Sequence, residues 1–213
     1  MELNGHFDPW LVGLSYLIAT AAAYISLRLA PHTPDADKSA AKIRGVLPAA
    51  FALGLGIWSM HFTGMAAFHI HAVAIGYRWD VTFLSLVVAV VFTSIGFATL
   101  TLLRNPREGP LVAGIPMGAG ILSMHFLGML AMTGEMTIHF QSELVIAAGG
   151  IAVIASVVAL FLSRIRHRLL SRLAASMVMG LAICGMHYTG MKAAVFTSTV
   201  PSQPAEGTSP SAY

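Results

Sequence analysis

The stretch Met186-His187-Tyr188-Thr189-Gly190-Met191 has two counterparts earlier in the same chain, Met60-His61-Phe62-Thr63-Gly64-Met65 and Met124-His125-Phe126-Leu127-Gly128-Met129. The three histidines stand 64 and 62 residues apart. That period is the length of one helical hairpin, so the chain reads as three copies of a two-helix unit with the motif on the second helix. Gly54, Gly118 and Gly180, each six residues ahead of its motif, extend the register upstream as repeated helix-packing positions do.

Composition places these hairpins in a membrane. Of 213 residues, 56% are apolar and 10% charged, with mean hydropathy +0.76. Soluble domains carry about 25% charged residues, which excludes a soluble enzyme and a disordered protein. The net charge of +3 is too small to imply nucleic acid as a partner. A lone cysteine, Cys184, allows neither an internal disulfide nor a thiolate cluster, so any metal site must be built from histidine and the 12 methionines.

A helix needs roughly 20 mostly apolar residues to cross the hydrocarbon, and six such stretches are predicted: Trp10 to Ala30, Gly45 to Phe68, Val81 to Leu103, Pro110 to Thr133, Leu144 to Ser163 and Leu173 to Phe196. The expected fold is an all-α membrane protein of six transmembrane helices, arranged as three pseudo-repeated hairpins over about 10–68, 81–133 and 144–196. Residues 1–9 form an outer segment, 10–197 the six-span body, and 198–213, rich in Pro, Ser, Thr and Gly, a disordered outer tail. The first span has two acids and no Lys or Arg before it, and no small-residue cleavage site after it, so it reads as a retained span and not a signal peptide.

Arg28, Lys38, Lys42, Arg44, Arg104, Arg107, Arg164, Arg166, Arg168 and Arg172 fall in the first, third and fifth connections, leaving Arg78 and Lys192 on the other side. Basic residues in short loops stay cytoplasmic, which directs both termini to the periplasmic face of a bacterial inner membrane. The basic clusters set topology and touch anionic headgroups; the Arg164 to Arg172 run also offers a surface for a cytoplasmic signalling partner.

Each motif helix runs outward, and His61, His125 and His187 lie 16, 15 and 14 residues beyond Gly45, Pro110 and Leu173. At 1.5 Å per residue they are roughly 21 to 24 Å from the inner surface, in one layer of the outer third. His and the later methionine (Met65, Met129, Met191) are at i and i+4 and share a face. The intervening glycine shares it too, opening room for a neighbouring helix or small ligand. The earlier methionines (Met60, Met124, Met186) sit about 100° round the helix, at the rim of a site or packed on the adjacent helix.

Imidazole with thioether is a soft donor set that favours copper, Cu(I) in particular. Three histidines in a layer also make a trigonal zinc site, and histidine with methionine can ligate haem; copper explains both residue types most economically. One motif alone is more often packing, because Met fills gaps and Gly permits close helix contact. Three imidazoles at equal depth in lipid reverse that balance, since each needs a partner. His69, His71 and His139 read as solvated loop residues, with metal delivery as a minority role, Cys184 and Trp58 as packing, and the Tyr188 hydroxyl as dispensable because Phe62 and Phe126 replace it. A membrane oxidoreductase using copper or haem is a competing reading, weakened by the lack of a carboxylate within the motif spans. A metal transporter is another, weakened because the inner halves offer few ligands beyond Met117, Met177 and Met179.

The repeated motif resembles that of the MHYT family of bacterial integral-membrane sensor domains, spelled out at Met186-His187-Tyr188-Thr189. The resemblance covers about Trp10 to Phe196. It implies a sensor of a diatomic gas (O2, CO or NO) or of redox state acting through protein-bound copper, with Met60, His61, Met65, Met124, His125, Met129, Met186, His187 and Met191 as ligands. Phe stands at the Tyr position in two repeats and Leu127 at one Thr position, which puts in doubt any mechanism needing three tyrosines or three threonines. Family members often continue through a seventh span into cyclic-di-GMP synthesis or degradation domains. This sequence stops after six spans, so the expectation is a free-standing or truncated sensor unit.

Overall fold

The computed structural model describes residues 3, 5–30, 39–70, 73–103, 105–163 and 169–199, without the side chains of 39–45 and 163. Among the described residues are six helices, α1 (Pro9–Leu29), α2 (Ser39–Ala66), α3 (Trp79–Leu102), α4 (Glu108–Leu130), α5 (Ser142–Ser163) and α6 (Leu169–Ala193), each with a segment long and apolar enough to cross a membrane. The motif helices α2, α4 and α6 touch one another at the centre. Around them α1 bridges α6 and α2, α3 bridges α2 and α4, and α5 bridges α4 and α6. The third repeat therefore closes on the first.

The packing is inside-out relative to a soluble bundle. The outer helices turn small and hydroxylated residues inward: Ser15, Ala19, Ala23 and Ser26 on α1, Ser85, Ala89 and Thr93 on α3, Ala148, Ala152 and Ser156 on α5. They turn Leu17, Ile25, Phe83, Val91, Ile146 and Ile154 outward. Lipid tails are as apolar as leucine, so helices gain from close backbone approach and not from hiding large side chains. Hydroxyls add direct ties: Ser26 Oγ donates to the Ala49 carbonyl at 2.8 Å and Thr93 Oγ1 to that of Ala50 at 3.0 Å. The glycines ahead of the motifs make close approaches that recur in all three repeats. A Cβ on Gly54 would lie 3.0 Å from the Val90 backbone, on Gly118 2.6 Å from Val153 Cα, and on Gly180 2.2 Å from Thr20 Oγ1. Each motif helix thus meets the first helix of the next repeat through its glycine. Gly118→Ala should lower thermal stability by roughly 1–3 kcal/mol, the usual scale of overpacking, whereas Gly150→Ala, with no atom near the added carbon, should not; thermal unfolding in lipid nanodiscs measures both.

Helical periodicity did not reveal three short antiparallel ribbons at the motif end of the bundle: β1 (Gly5–Phe7) with β2 (Phe68–Ile70), β3 (Gly76–Tyr77) with β4 (Met132–Thr133), and β5 (Met136–Phe140) with β6 (Ala194–Ser198). Every repeat is therefore strand, helix, helix, strand. One backbone bond recurs in all three, from Asp8 N to Ala67 O at 2.8 Å, Arg78 N to Ala131 O at 2.8 Å, and Gln141 N to Ala193 O at 2.9 Å. It pins the entry of each repeat to its exit. The apolar runs read as helix through Phe68, Thr133 and Phe196 leave the helix at Ala66, Leu130 and Ala193, because a short buried strand and a last helical turn have the same hydropathy. At the other ends α2, α4 and α6 begin four to six, or two, residues before the apolar runs, since polar residues cost nothing there. Asp8 caps α1, its carboxylate accepting from Trp10 N at 2.8 Å.

Arg28, Arg107 and Arg172 lie at the end of the bundle remote from the ribbons, and Arg78 and Lys192 at the ribbon end. The expected tail, 198–213, starts too early: Ser198 ends β6 opposite Met136 and Thr199 N donates to the Glu135 carbonyl at 3.1 Å, because strand pairing extends past the last apolar residue. Lys38, Arg104, Arg164, Arg166, Arg168 and 200–213 lie outside the described residues, as do the side chains of Lys42 and Arg44.

Candidate metal centre

Where α2, α4 and α6 meet, His61, His125 and His187 converge, all completely buried. Their Nδ1 atoms form a nearly equilateral triangle: 3.1 Å from His61 to His125, 3.2 Å from His125 to His187, and 3.2 Å from His187 to His61. Ring centroids are 5.0, 5.1 and 5.0 Å apart with interplanar angles of 86° to 88°, so the imidazoles stand edge to face as a three-bladed propeller.

The motif glycines make this possible. A Cβ at Gly128 would lie 2.1 Å from His61 Nε2, one at Gly190 2.2 Å from His125 Nε2, and one at Gly64 2.4 Å from His187 Nε2. Each imidazole therefore rests in the notch left by the glycine of the next repeat, in cyclic order. The glycine and histidine of a motif serve different contacts: the histidine turns to the axis, and the glycine receives the neighbour's ring.

The triangle sets a hydrogen-bonding problem. A neutral imidazole nitrogen is either an N–H donor or a lone-pair acceptor. Three mutually adjacent nitrogens cannot all differ, so at least one of the three contacts joins two donors or two acceptors. Among the described residues, Nε2 of His61 and His187 has no hydrogen-bond partner, and unmatched polar groups in a dry interior are costly. A cation removes the conflict, because all three Nδ1 can then present lone pairs to it. The dimensions fit: a point equidistant from nitrogens 3.1–3.2 Å apart lies about 1.8 Å from each, and a displacement along the axis of a little under ~1 Å gives the ~2.0–2.1 Å of a metal–imidazole bond. These three residues also form a group of the kind able to hold a metal ion, with ligand atoms within 4.8 Å of one another.

The six motif methionines are all buried but fall into two sets. Met60, Met124 and Met186 belong to the long core that fills the bundle; Met65, Met129 and Met191 form a separate cluster under the ribbons with Phe68, Ile70 and Phe196. The histidine layer lies between them. One turn inward, at i−4 from each histidine, stand Ile57, Ile121 and Ile183, and a turn further Leu53, Met117 and Met179. Together with Ser156 they line a small apolar cavity with room for about one water-sized molecule. This isoleucine is a further repeated position, three residues ahead of each motif, and its recurrence in the sequence is the signal that marks the layer.

Other singled-out residues have structural roles. Trp58 Nε1 donates to the Thr82 carbonyl at 3.1 Å and Ser85 Oγ at 3.2 Å, joining α2 to α3. Tyr188 OH and Ser15 Oγ, 3.0 Å apart, make the corresponding tie from α6 to α1. Cys184 is buried and unbridged. Met177 faces outward on α6. His69 and His139, expected in loops, are exposed positions of alternating strands, β2 (Phe68-His69-Ile70) and β5 (Met136-Thr137-Ile138-His139-Phe140). His32, His71 and His167 lie outside the described residues.

The comparisons with known proteins follow the same repeat. The family model described as MHYT, "Bacterial signalling protein N terminal repeat", matches residues 54–113, 118–176 and 180–205, each match opening on one of the packing glycines Gly54, Gly118 and Gly180. The chain is 38% identical over 199 residues to the bifunctional diguanylate cyclase/cyclic di-GMP phosphodiesterase MucR of Pseudomonas aeruginosa, covering 91% of this chain and 29% of MucR. It is 34% identical to the signaling protein YkoW of Bacillus subtilis and 34% identical to the cyclic di-GMP phosphodiesterase NbdA of P. aeruginosa, covering 92% and 91% of this chain and 25% of each relative. The chain thus spans between a quarter and three tenths of these relatives' length. No solved structure matches it. With three consecutive repeat matches laid over three histidine-bearing helices in a six-span body, this multi-pass membrane chain belongs to the MHYT family of bacterial signalling proteins.

Proposed function

We propose that this chain is the sensory unit of a membrane signalling protein, holding a copper ion on His61, His125 and His187 and responding to a diatomic gas or to redox state. The observation that carries the reading is the triangle of Nδ1 atoms, which no assignment of imidazole protons satisfies and a central cation does. Copper is preferred to zinc because buried thioethers stand on both sides of the histidine layer, a setting soft enough for Cu(I). Haem is disfavoured, since rings with centroids 5.0–5.1 Å apart leave no slot for a porphyrin. Bound copper would supply a redox couple and an affinity for small π-acid or oxidising ligands.

The protein's own part is to couple that centre to the far end of the bundle. The histidines sit on the three helices that touch at the axis, so a change in their mutual spacing acts on α2, α4 and α6 together, and through them on the end that carries Arg28, Arg107 and Arg172. Such coupling requires the two states of the centre to favour different helix arrangements. In this reading the basic end is cytoplasmic by the positive-inside rule, the ribbons face the periplasm of a bacterial inner membrane, and the output is a cytoplasmic domain or partner of the cyclic-di-GMP class named in MucR and NbdA.

Metal analysis with absorption spectroscopy on protein purified in lipid nanodiscs tests the proposal. About one copper per chain without an intense Soret band is expected, with a spectral change when carbon monoxide is added to the reduced sample. A Soret band, or chain that stays metal-free after incubation with Cu(I), overturns it.

A further inference from the structure

The ribbon of the first repeat differs from the other two. The β1–β2 register places His6 directly opposite His69, whereas Tyr77 faces Met132 in the second ribbon and His139 faces Val195 in the third. We propose that His6 and His69 form a second metal site, on the surface, for a divalent transition-metal ion, Cu(II) foremost.

On this ribbon Phe7 and Phe68 stack at 5.0 Å, and Phe68 and Ile70 turn inward onto Met65, Met129 and Met191. Both imidazoles lie on the opposite, exposed face, so neither fills any core. Their separation admits an ion shared between the two rings when a nitrogen of each turns toward it. The ring centroids are 5.6 Å apart with planes tilted by 35°. An ion at a bond length of ~2.0–2.1 Å from a ring nitrogen sits about 3.2 Å from that ring's centroid; two centroids 5.6 Å apart then subtend about 120° at the ion, an angle that trigonal and tetrahedral sites accept. Neutral imidazole binds zinc, nickel and copper, and the Irving–Williams order places Cu(II) highest among divalent ions.

The position gives the site a use. It stands on the outer face of the ribbon whose inner face covers the later motif methionines, so an ion captured there is separated from the histidine triad by a layer of thioethers. A role in loading the triad rests on the copper reading above; the surface site does not.

Full-length chain in nanodiscs, titrated with Cu(II) and separately with Zn(II), tests it by calorimetry and by electron paramagnetic resonance of the copper sample. A chelator-strippable site with a nitrogen-coordinated Cu(II) signal is expected in the parent. His6→Ala and His69→Ala should each weaken it by about tenfold or more, since losing even an outer-shell partner costs 10–100-fold, and His139→Ala should leave it unchanged. Copper retained after chelator washing reports the triad and should be the same in all three variants at equilibrium. Surface binding that is identical in the parent, His6→Ala and His69→Ala overturns the proposal, even if retained copper supports the triad. Loss of retained copper with the surface site intact counts against the separate-site assignment.

Discussion

Replacing any one of His61, His125 or His187 with leucine should abolish tight copper binding altogether, and should leave the metal-free protein no less stable. A single ion shared by three nitrogens 3.1–3.2 Å apart loses a third of its donors in every variant, with an expected affinity loss of about 100-fold or more, since even second-shell changes cost 10–100-fold. Three independent sites would instead lose one ion in three. The stability half of the prediction comes from the same triangle. Two remaining Nδ1 atoms can be one donor and one acceptor, so deleting the third histidine removes an unavoidable like-to-like contact, and an apolar replacement of a half-satisfied buried network is often neutral or stabilising. The parent should gain thermal stability when copper is added, about 4 kcal/mol at a thousandfold excess over the dissociation constant, and His125→Leu should gain none. Copper counting and thermal unfolding with and without copper decide this. Retention of two thirds of the copper, or collapse of the metal-free variant, counts against a single shared centre.

The second large effect belongs to the glycines. Gly190→Ala places a carbon 2.2 Å from His125 Nε2, closer than atoms in proteins approach. That ring cannot retreat, because its other nitrogen is held 3.1–3.2 Å from two neighbouring rings in a fully buried site. The helices must part instead, at a cost of roughly 1–3 kcal/mol, and the triangle opens. Copper retention should fall nearly as far as in the histidine variants although no ligand has been touched. Gly64→Ala and Gly128→Ala should behave alike, by the same contact with His187 and His61. Gly185→Ala is the matched control: it lies in the same helix, no atom stands within 4 Å of the added carbon, and relief of glycine's helix penalty should gain about 0.5–1 kcal/mol. Equal behaviour of Gly185→Ala and Gly190→Ala would falsify the cradle.

Both predictions use residues that the motif displays, and much of the architecture was equally legible. Hydropathy located six spans, and the period of the motif paired them into three hairpins. The i, i+4 spacing put histidine and later methionine on one helical face. Of the ribbons only β5 carries a signal, Met136-Thr137-Ile138-His139-Phe140 alternating apolar and polar as its burial does; β1 to β4 have two or three residues, and β2, β4 and β6 continue apolar runs that began as helix. For the same reason the opposition of His6 and His69 was hidden, since cross-strand register is set by a pairing 63 residues apart in the chain.

The membrane setting, the threefold repeat and the common depth of the three histidines follow from the residues alone, because each depends on composition and on distances along one helix. What those histidines meet depends on how the helices assemble. Closure of α6 onto α1 turns three separate faces into one axis. It brings three Nδ1 atoms together, seats each ring on the next repeat's glycine, and divides the six methionines into layers on either side. These relations hold between helices, where the spacing is set by how closely small residues let backbones approach, and no pattern within a single helix encodes them.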